Sequence, residues 1–487
     1  MNNRDTLETA EIVPDSDRPQ GLGQLAMRGG IFLLARQMVS VLLKLIGVLL
    51  IARVLGPEHY GAFVAAFGVY QYILSVGQVG IGIYLLKHAR EVTDEQYGTA
   101  YTILGFLAVA LVVAMEAGIG AVASWVNVEG FSTVMSVLVL AVPVQVLAVP
   151  ALARLERALD YKYVALVELL GQVAYYALAV PLVTLGYGPV SLACAWVLQQ
   201  AASLILAHVF SRRLPVFGWN TQLAKDMMRY ALSFSIANWI WQLRSLVNPM
   251  IVGAYFGAYA VGMVGMTIGL LEMLSIVKTI IWRLSVALLA KIQTDTARLR
   301  SSITQGMDVM TLTVGTILLG FGWFAPLLVP LVFGERWLPV LDIYPYIAIG
   351  YLTNAQFNMH TAALSVLGHT RQLSIYQAIH VAAFAGTAAL AVPALGMLGY
   401  GLSEIAALPV YLVLHMFVAR LVGSPNYMLS AVWWLGIVIG LFWRELGPWA
   451  IVVPFLALLY PVSIRRLQGF YRMALARPKG ADNVSRI

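Results

Sequence analysis

The chain has 487 residues, of which 60% are hydrophobic and 11% are charged, and its mean hydropathy is +0.81. This composition excludes an ordinary soluble globular protein and indicates that most of the chain lies in a lipid bilayer. The single cysteine, Cys194, excludes an intramolecular disulfide and a cysteine metal cluster, and the net charge of +8 requires no nucleic-acid partner because membrane topology explains it.

In chain order, the first segment is polar, and residues 1–24 lack the basic start and short apolar core of a signal peptide. We predict a disordered cytoplasmic tail there. Long apolar runs follow, and each predicts a transmembrane helix, because a span needs roughly 20 apolar residues with internally bonded backbone groups. The first six form an N-terminal lobe over residues 25–210, at 29–52, 61–86, 98–123, 132–153, 164–186 and 189–210.

A cytoplasmic linker at 211–230 precedes a second six-helix lobe over residues 231–420. Its segments are predicted at 231–256, 261–281, 303–333, 341–367, 373–393 and 402–420. An extra helix pair occupies 429–464, split at about residue 447, and a basic cytoplasmic tail covers 465–487. The predicted fold is therefore an all-α polytopic membrane protein with about fourteen transmembrane helices.

The basic residues predict the orientation of these helices. About 24 of the 31 Lys and Arg residues fall on the side of the N-terminus and about three on the opposite side, the rest lying within helices. Because basic residues near helix ends stay in the cytoplasm, we expect a multi-pass protein of the bacterial inner membrane with both termini cytoplasmic. The same residues suit contact with anionic lipid headgroups.

An internal repeat is visible at an offset of 201 residues. The segment Leu55–Gly61 after the first predicted helix matches the glycine spacing of Phe256–Gly262 after the seventh. Two glycine matches can also arise by chance in a chain with 42 glycines. If the repeat is real, the six intervening helices give both copies the same orientation, so two lobes would face a central cavity, as in transporters.

Three basic residues lie near the middle of predicted spans, where a charge costs about 3 kcal/mol on insertion scales. They are Arg36 and Lys44 in the first helix and Arg244 in the seventh. Arg36 and Lys44 lie about 12 Å apart along the helix and within about 80° around it, so one broad face is cationic. We interpret these residues as a substrate-binding cavity, and the alternative is snorkelling to the headgroups.

Uncharged polar and aromatic residues accompany these cations at helical spacing. They are Gln71 and Gln78 in the second helix, and Asn238, Gln242 and Ser245 with Trp239 and Trp241 in the seventh. Amides beside aromatic faces suit sugars, which present both hydroxyl groups and apolar C–H surfaces. The competing interpretation is that the amides hydrogen-bond helices together.

Glu272 is the acidic residue that is predicted to lie most centrally, because Glu404 and the others fall nearer helix ends. Glu272 and Lys278 are six residues apart, which places them on different faces of a continuous helix. Two roles remain open for Glu272: neutralising Arg244 across a helix interface, or binding the proton or sodium ion that is coupled to transport.

The sequence contains no phosphate-binding loop, no paired metal-ligand histidines and no nucleophile motif, so we predict no cofactor, no metal site and no catalytic residues. The predicted external loops are about ten residues or shorter, which argues against a glycan polymerase or ligase.

The stretch Arg53–Gly61 resembles the signature after the first helix of bacterial polysaccharide transporters, the lipid-linked oligosaccharide flippases of the multidrug/oligosaccharidyl-lipid/polysaccharide exporter superfamily. Leu331–Trp337 and Leu367–Arg371 look like that family's breaks after helices 9 and 10. The resemblance implies two six-helix lobes in a V, with a cationic cavity for the pyrophosphate and sugars of an undecaprenyl-linked repeat unit. It also implies translocation from the cytoplasm to the periplasm by alternating access.

The expected function is therefore a flippase for a lipid-linked oligosaccharide in exopolysaccharide or O-antigen assembly. Its expected partners are that substrate, membrane lipids, and a polysaccharide polymerase with its export machinery. Two alternatives in the same superfamily are a lipid II flippase and a multidrug or ion antiporter. The antiporter is disfavoured because three central cations face a single central carboxylate.

Overall fold

The computed structural model describes residues 21–87 and 91–475. Within these ranges, the side chains of residues 21–38, 41–42, 233–234, 280, 283–284 and 470–475 are outside the described part. The predicted tails at 1–24 and 465–487 fall mostly outside the described residues, and residues 21–24 and 465–475 belong to helices.

Every regular element in the described residues is a helix. The predicted first repeat contains α1 Gly21–Gln78, α2 Ile81–Lys87, α3 Asp94–Val126, α4 Phe131–Val139, α5 Ala141–Arg157, α6 Tyr161–Thr184 and α7 Val190–Ser211. The predicted second repeat contains α8 Thr221–Gln242, α9 Arg244–Val247, a π-helical turn Asn248–Gly253, α10 Ala254–Leu274, α11 Ile276–Lys291, α12 Thr296–Val332, α13 Val340–Gln356, α14 Asn358–Val366, α15 Thr370–Leu395, α16 Met397–Ala406 and α17 Tyr411–Val422. The last helices are α18 Met428–Leu441, α19 Trp443–Leu446, α20 Val452–Leu459 and α21 Pro461–Leu475.

Among the described residues, nine helical segments are long and apolar enough to cross a membrane, or ten if the bent pair Pro448–Leu459 and Pro461–Gly469 forms one span. Two of the nine, Leu43–Gln78 and Ser235–Leu274, contain non-helical glycines that divide them. Each therefore holds two of the helices predicted from sequence. The predicted all-α polytopic fold is confirmed, and this arrangement is consistent with about fourteen spans.

The dividing glycines support the predicted internal repeat. Gly56 has φ 71° and ψ 174°, and Gly257, at the 201-residue offset, has φ 68° and ψ −164°. A positive φ of this kind is accessible to glycine at little cost. The offset also relates Gly61 to Gly262 and, beyond the sequence prediction, Gly68 to Gly269.

The two repeats cross at Gly61 and Gly262, and the contact is reciprocal. A Cβ at Gly61 would lie 1.8 Å from the carbonyl oxygen of Ala258, and a Cβ at Gly262 would lie 2.1 Å from the carbonyl oxygen of Pro57. Pro57 and Ala258 are themselves related by the same offset. Backbone therefore meets backbone at equivalent positions of the two repeats, as it does in close helix packing by small residues.

Further contacts between the repeats surround this crossing, and we refer to them together as the closed end. The indole nitrogen of Trp337 donates to the carbonyl of Ala52 at 3.1 Å, and that of Trp125 donates to the carbonyl of Met250 at 3.0 Å. The loops predicted to lie outside the cell meet here, which supports the predicted alternation of loops. Which side of the membrane this end faces stays a prediction.

The C-terminal helix α21 is tied to α12 by a buried ion pair. Arg466 Nη2 lies 3.0 Å from Asp308 Oδ2, and the two side chains are 29% and 4% exposed. Removing one partner of a buried pair leaves the other charge poorly solvated. We expect Arg466→Ala to lower the free energy of unfolding by about 2 to 3 kcal/mol, measured by thermal denaturation in detergent. The exposed neighbour Arg465 provides the control, and equal effects of Arg465→Ala and Arg466→Ala would contradict this assignment.

Candidate functional site

A cavity of about 870 Å³ lies between the two repeats. Helix α1 on both sides of Gly56, with α6 and α7, forms its first wall, and α8 to α11, α13 and α16 form its second wall. Its volume falls at the upper end of the range of small-molecule sites, about 300–1,000 Å³. The positions related by the repeat offset face it in pairs, since Gly68 and Gly269 both line it and so do Gln71 and Glu272.

The first wall is built from aromatic rings and amides. Phe67 packs edge-on against Trp196 with ring centroids 4.9 Å apart, and Trp196 also contacts Tyr175 at 6.3 Å. Between these rings the cavity is lined by the amides Gln71, Gln172 and Gln199. Such a surface offers ring faces to apolar groups and amide dipoles to hydroxyl groups.

The second wall holds Arg244 in a buried cluster. Its Nη2 donates to Glu404 Oε1 at 2.5 Å, and its Nη1 donates to His380 Nε2 at 3.0 Å. The guanidinium carbon lies 5.2 Å from the ring centroid of Trp241 and 4.5 Å from that of Phe384. These contacts are of the cation–π type, and together with the ion pair they fix the guanidinium at the cavity wall.

Glu404 is accommodated by a glycine on the neighbouring helix. A Cβ at Gly350 would lie 2.8 Å from Glu404 Oε2. The carboxylate is 3% exposed, so its charge depends on Arg244 for compensation.

Two lysines complete the cationic lining. Lys44 is exposed to the cavity and forms no ion pair within 4.0 Å in the described part of the chain. Lys278 Nζ donates to Asn354 Oδ1 at 2.9 Å and lies 5.5 Å from the ring centroid of Tyr351. With Arg244, Glu404 and Glu272, the described cavity lining contains three cations and two carboxylates.

The structure brings together six of the nine residues predicted for the site. Lys44, Gln71, Trp241, Gln242, Arg244 and Glu272 line the cavity, together with Ser245. Gln78 lies at the end of α1 and Asn238 is exposed on α8, and neither lines it. Hydropathy gives a helix's length but not its rotation, which explains these two differences. The side chain of Arg36 is outside the described part of the structure.

Of the two roles left open for Glu272, neutralising Arg244 is not observed, because the partner of Arg244 is Glu404. The sequence placed Glu404 nearer a helix end, whereas α16 begins at Met397, five residues before the predicted start, and Glu404 is buried about two turns after that start. The helix carrying Glu272 breaks at Ser275, so Glu272 and Lys278 both line the cavity, although a continuous helix would place them on different faces. The cavity lining therefore has two carboxylates rather than one.

Sequence reasoning also missed Lys278 and most of the aromatic wall. Gln172 with Tyr175 and Tyr176, and Trp196 with Gln199, show amides and rings at intervals of three or four in otherwise apolar helices. That spacing marks one helix face and could have identified the wall.

Comparisons with known proteins agree with this architecture. A family model described as "Polysaccharide biosynthesis protein" matches residues 50–342. The succinoglycan biosynthesis transport protein ExoT of Rhizobium meliloti strain 1021 is 23% identical over 315 residues. That match covers 62% of each of the two chains, so it spans less than two thirds of the relative.

Two solved structures have the same fold. The lipid II flippase MurJ in an inward closed conformation matches with a TM-score of 0.70 at 13% identity, covering 91% of this chain and all of that one. An inward-facing multidrug resistance transporter of the MATE family, in the MOP superfamily, matches with a TM-score of 0.60 at 17% identity and covers 80% of this chain and 98% of that one. Identities this low establish the fold alone.

Proposed function

Because the chain belongs to the family of polysaccharide biosynthesis proteins, whose model matches more than half of it, we propose that it flips an undecaprenyl-pyrophosphate-linked oligosaccharide across the membrane. The curated relative is named a transport protein, and the two solved structures of the same fold are a flippase and a multidrug transporter, which supports a transport role rather than an enzymatic one for this multi-pass membrane protein. The proposed direction is from the cytoplasmic to the periplasmic leaflet, for exopolysaccharide or O-antigen synthesis.

One observation supports this substrate class above the others: cations and sugar-compatible groups line the same cavity between two repeats. Lys44, Lys278 and Arg244 provide donors for phosphate oxygens. The rings and amides of the first wall provide contacts for sugar rings and hydroxyl groups. A charge inside a membrane protein tends to mark a substrate pathway, and here several cations line a cavity large enough for a ligand.

The arrangement also suggests how translocation proceeds. The pyrophosphate would bind between Lys44 on α1 and the cluster on the second wall, so that both repeats contact the anion. Rocking of the repeats about the crossing of Gly61 and Gly262 would then open one end of the cavity while closing the other. Glu272, exposed to the cavity, remains the proposed ion-coupling residue.

The sorting of basic residues supports an inner-membrane location with both termini in the cytoplasm. In this orientation the closed end faces the periplasm, and the cavity lies on its cytoplasmic side, ready to accept substrate. A polysaccharide polymerase on the periplasmic side would then use the translocated repeat unit.

A cationic-drug exporter is the second candidate, because the cavity lining contains Glu272 as well as Glu404. Glu404 is already paired with Arg244, so the remaining charges of the cavity lining are one carboxylate, Glu272, and two cations, Lys44 and Lys278. This excess of positive charge favours an anionic substrate. Uptake of a cationic dye by proteoliposomes would instead support the drug exporter.

We expect Lys44→Gln to slow translocation of an undecaprenyl-pyrophosphate oligosaccharide in proteoliposomes. Losing one charge-assisted hydrogen bond to phosphate weakens binding by about tenfold to a hundredfold. Lys291→Gln, at an exposed lysine outside the cavity lining, serves as the matched control. Lipid II serves as the competing substrate. Equal rates for wild type and Lys44→Gln, or preferential transport of lipid II, would refute the proposal as stated.

A further inference from the structure

A second, smaller cavity of about 320 Å³ lies beside the central one, and we call it the side pocket. The two cavities share Trp241, Lys278, Thr279 and Asn354. From this shared edge the side pocket extends into the second repeat between α11, α14 and α15. Its volume lies at the lower end of the range for small-molecule sites, about 300–1,000 Å³.

The lining of the side pocket differs from that of the central cavity. Lys278 is its only charged lining residue among those described, and it lies at the shared edge. Away from that edge, the lining consists of amides and hydroxyls from Asn358, Thr361, Ser365 and Gln377, with the rings of Trp282 and Tyr376 and the side chain of Leu373. Rings and uncharged hydrogen-bonding groups in alternation fit a neutral polyol ring better than an ion or a lipid chain.

Two polar atoms of this lining are buried without a hydrogen-bond partner in the described residues. They are the hydroxyl oxygen of Tyr376, whose side chain is 2% exposed and whose one polar neighbour is the phenol of Tyr411, and Oε1 of Gln377. A buried amide oxygen without a donor is rare in folded proteins because the lost hydrogen bond costs free energy, so Oε1 of Gln377 calls for an occupant of the side pocket. A sugar hydroxyl can donate to this amide oxygen and can bond the adjacent phenol as well.

We propose that the side pocket binds one uncharged sugar unit of the substrate while the pyrophosphate occupies the central cavity. This inference rests on the proposed function, because it assigns a part of the same substrate to a second location. Lys278 and Asn354, held together at 2.9 Å, lie where the phosphate-binding and sugar-binding parts meet. The side pocket thereby gives the transporter a contact that depends on the glycan and not on the lipid carrier.

Binding to the purified full-length protein in nanodiscs tests this assignment with two probes. The first is undecaprenyl pyrophosphate without sugar, and the second is the same lipid linked to a tetrasaccharide of neutral hexoses. We expect Tyr376→Phe and Gln377→Leu each to weaken binding of the second probe by about threefold to tenfold. Binding of the first probe is expected to stay at the wild-type level. Tyr346→Phe, whose ring packs on Phe442 away from both cavities, is the matched control.

The outcomes separate this inference from the proposed function. If wild type binds both probes equally, or if both variants weaken the two probes alike, the side pocket binds no sugar while the function stands. Unchanged binding of the tetrasaccharide lipid by both variants also overturns the inference and indicates that the side pocket holds only water. If wild type binds neither probe, the proposed function fails first.

Discussion

The double variant Arg244→Met/Glu404→Gln is expected to reach the membrane at the wild-type level and to lose polysaccharide export. In the wild type the two side chains form an ion pair in which Glu404 is 3% exposed. Removing both charges together leaves no uncompensated ion, and exchanging a buried pair for neutral groups of similar size is often close to neutral for stability.

The single variants separate the structural role of Arg244 from its binding role. Arg244→Met alone leaves the Glu404 carboxylate without its cation, at an expected cost of about 3–5 kcal/mol in the free energy of unfolding. Glu404→Gln alone keeps the guanidinium at the cavity wall and removes the carboxylate that competes for it. We therefore expect Glu404→Gln to bind a lipid pyrophosphate at least as tightly as wild type does.

Export in cells, protein level in the membrane and binding of undecaprenyl pyrophosphate to purified protein give the three readouts. The double variant should bind this lipid about tenfold to a hundredfold more weakly, the effect of losing a charged hydrogen-bond donor to phosphate. Normal export by a stable double variant would show that Arg244 serves only as the partner of Glu404, and the anion-binding assignment would then be withdrawn.

Helix content, the repeat and the central cations could be predicted from the sequence because each depends on local chemistry. Apolar length determines which segments can span a bilayer, and a charge within such a segment is costly wherever the helix lies. Gly56 and Gly257 were identifiable because a sharp turn with positive φ favours glycine.

The partners of the cations could not be predicted in the same way, since they depend on helix starts and rotations. The helix that contains Glu404 begins at Met397 rather than at residue 402, and Glu404 is buried there beside Arg244. A break at Ser275 rotated Lys278 onto the face of Glu272. Errors of a few residues in a helix boundary change which face a side chain occupies, and periodicity alone cannot correct them.

The repeats share the backbone conformation of Gly56 and Gly257 but differ in chemistry at equivalent positions. Gln71 corresponds to Glu272 and Lys44 to Ser245, and all four line the cavity. The first wall thus presents Lys44 with rings and amides, whereas the second wall holds the buried ion pair and Lys278. A substrate that combines an anionic group with a neutral glycan suits this lining, because cations on both walls can contact the anion while the rings and amides contact the glycan.

The glycine crossing that both repeats share gives the second large prediction: Gly61→Ala is expected to prevent the closed end from forming and to abolish transport. The added Cβ would lie 1.8 Å from the carbonyl oxygen of Ala258, far inside van der Waals contact. The atom it meets belongs to the backbone, so no side chain can move away, and overpacking of this kind costs about 3 kcal/mol or more. Gly262→Ala should act alike, because its Cβ would meet the carbonyl oxygen of Pro57 at 2.1 Å.

Spin labels at the exposed residues Tyr187 and Glu335, one from each repeat, would report the separation of the repeats at this end after Cys194 is replaced by serine. In wild type we expect a population with a short distance, and in Gly61→Ala we expect that population to disappear in favour of longer distances. Gly120→Ala on α3 is the matched control, because nothing lies within 4 Å of its added Cβ.

If a variant retained the short distance but lost transport, the cause of the lost transport would lie outside the closed end. A variant that lost the short distance but transported normally would show that this contact is not required in the cycle. The crossing is assigned as the pivot of alternating access on one condition. Gly61→Ala and Gly262→Ala must each lose both the short spin-label distance and transport, and Gly120→Ala must keep both. This joint requirement follows from the reciprocal geometry, since Gly61 and Gly262 each pack against the backbone of the other repeat at one crossing.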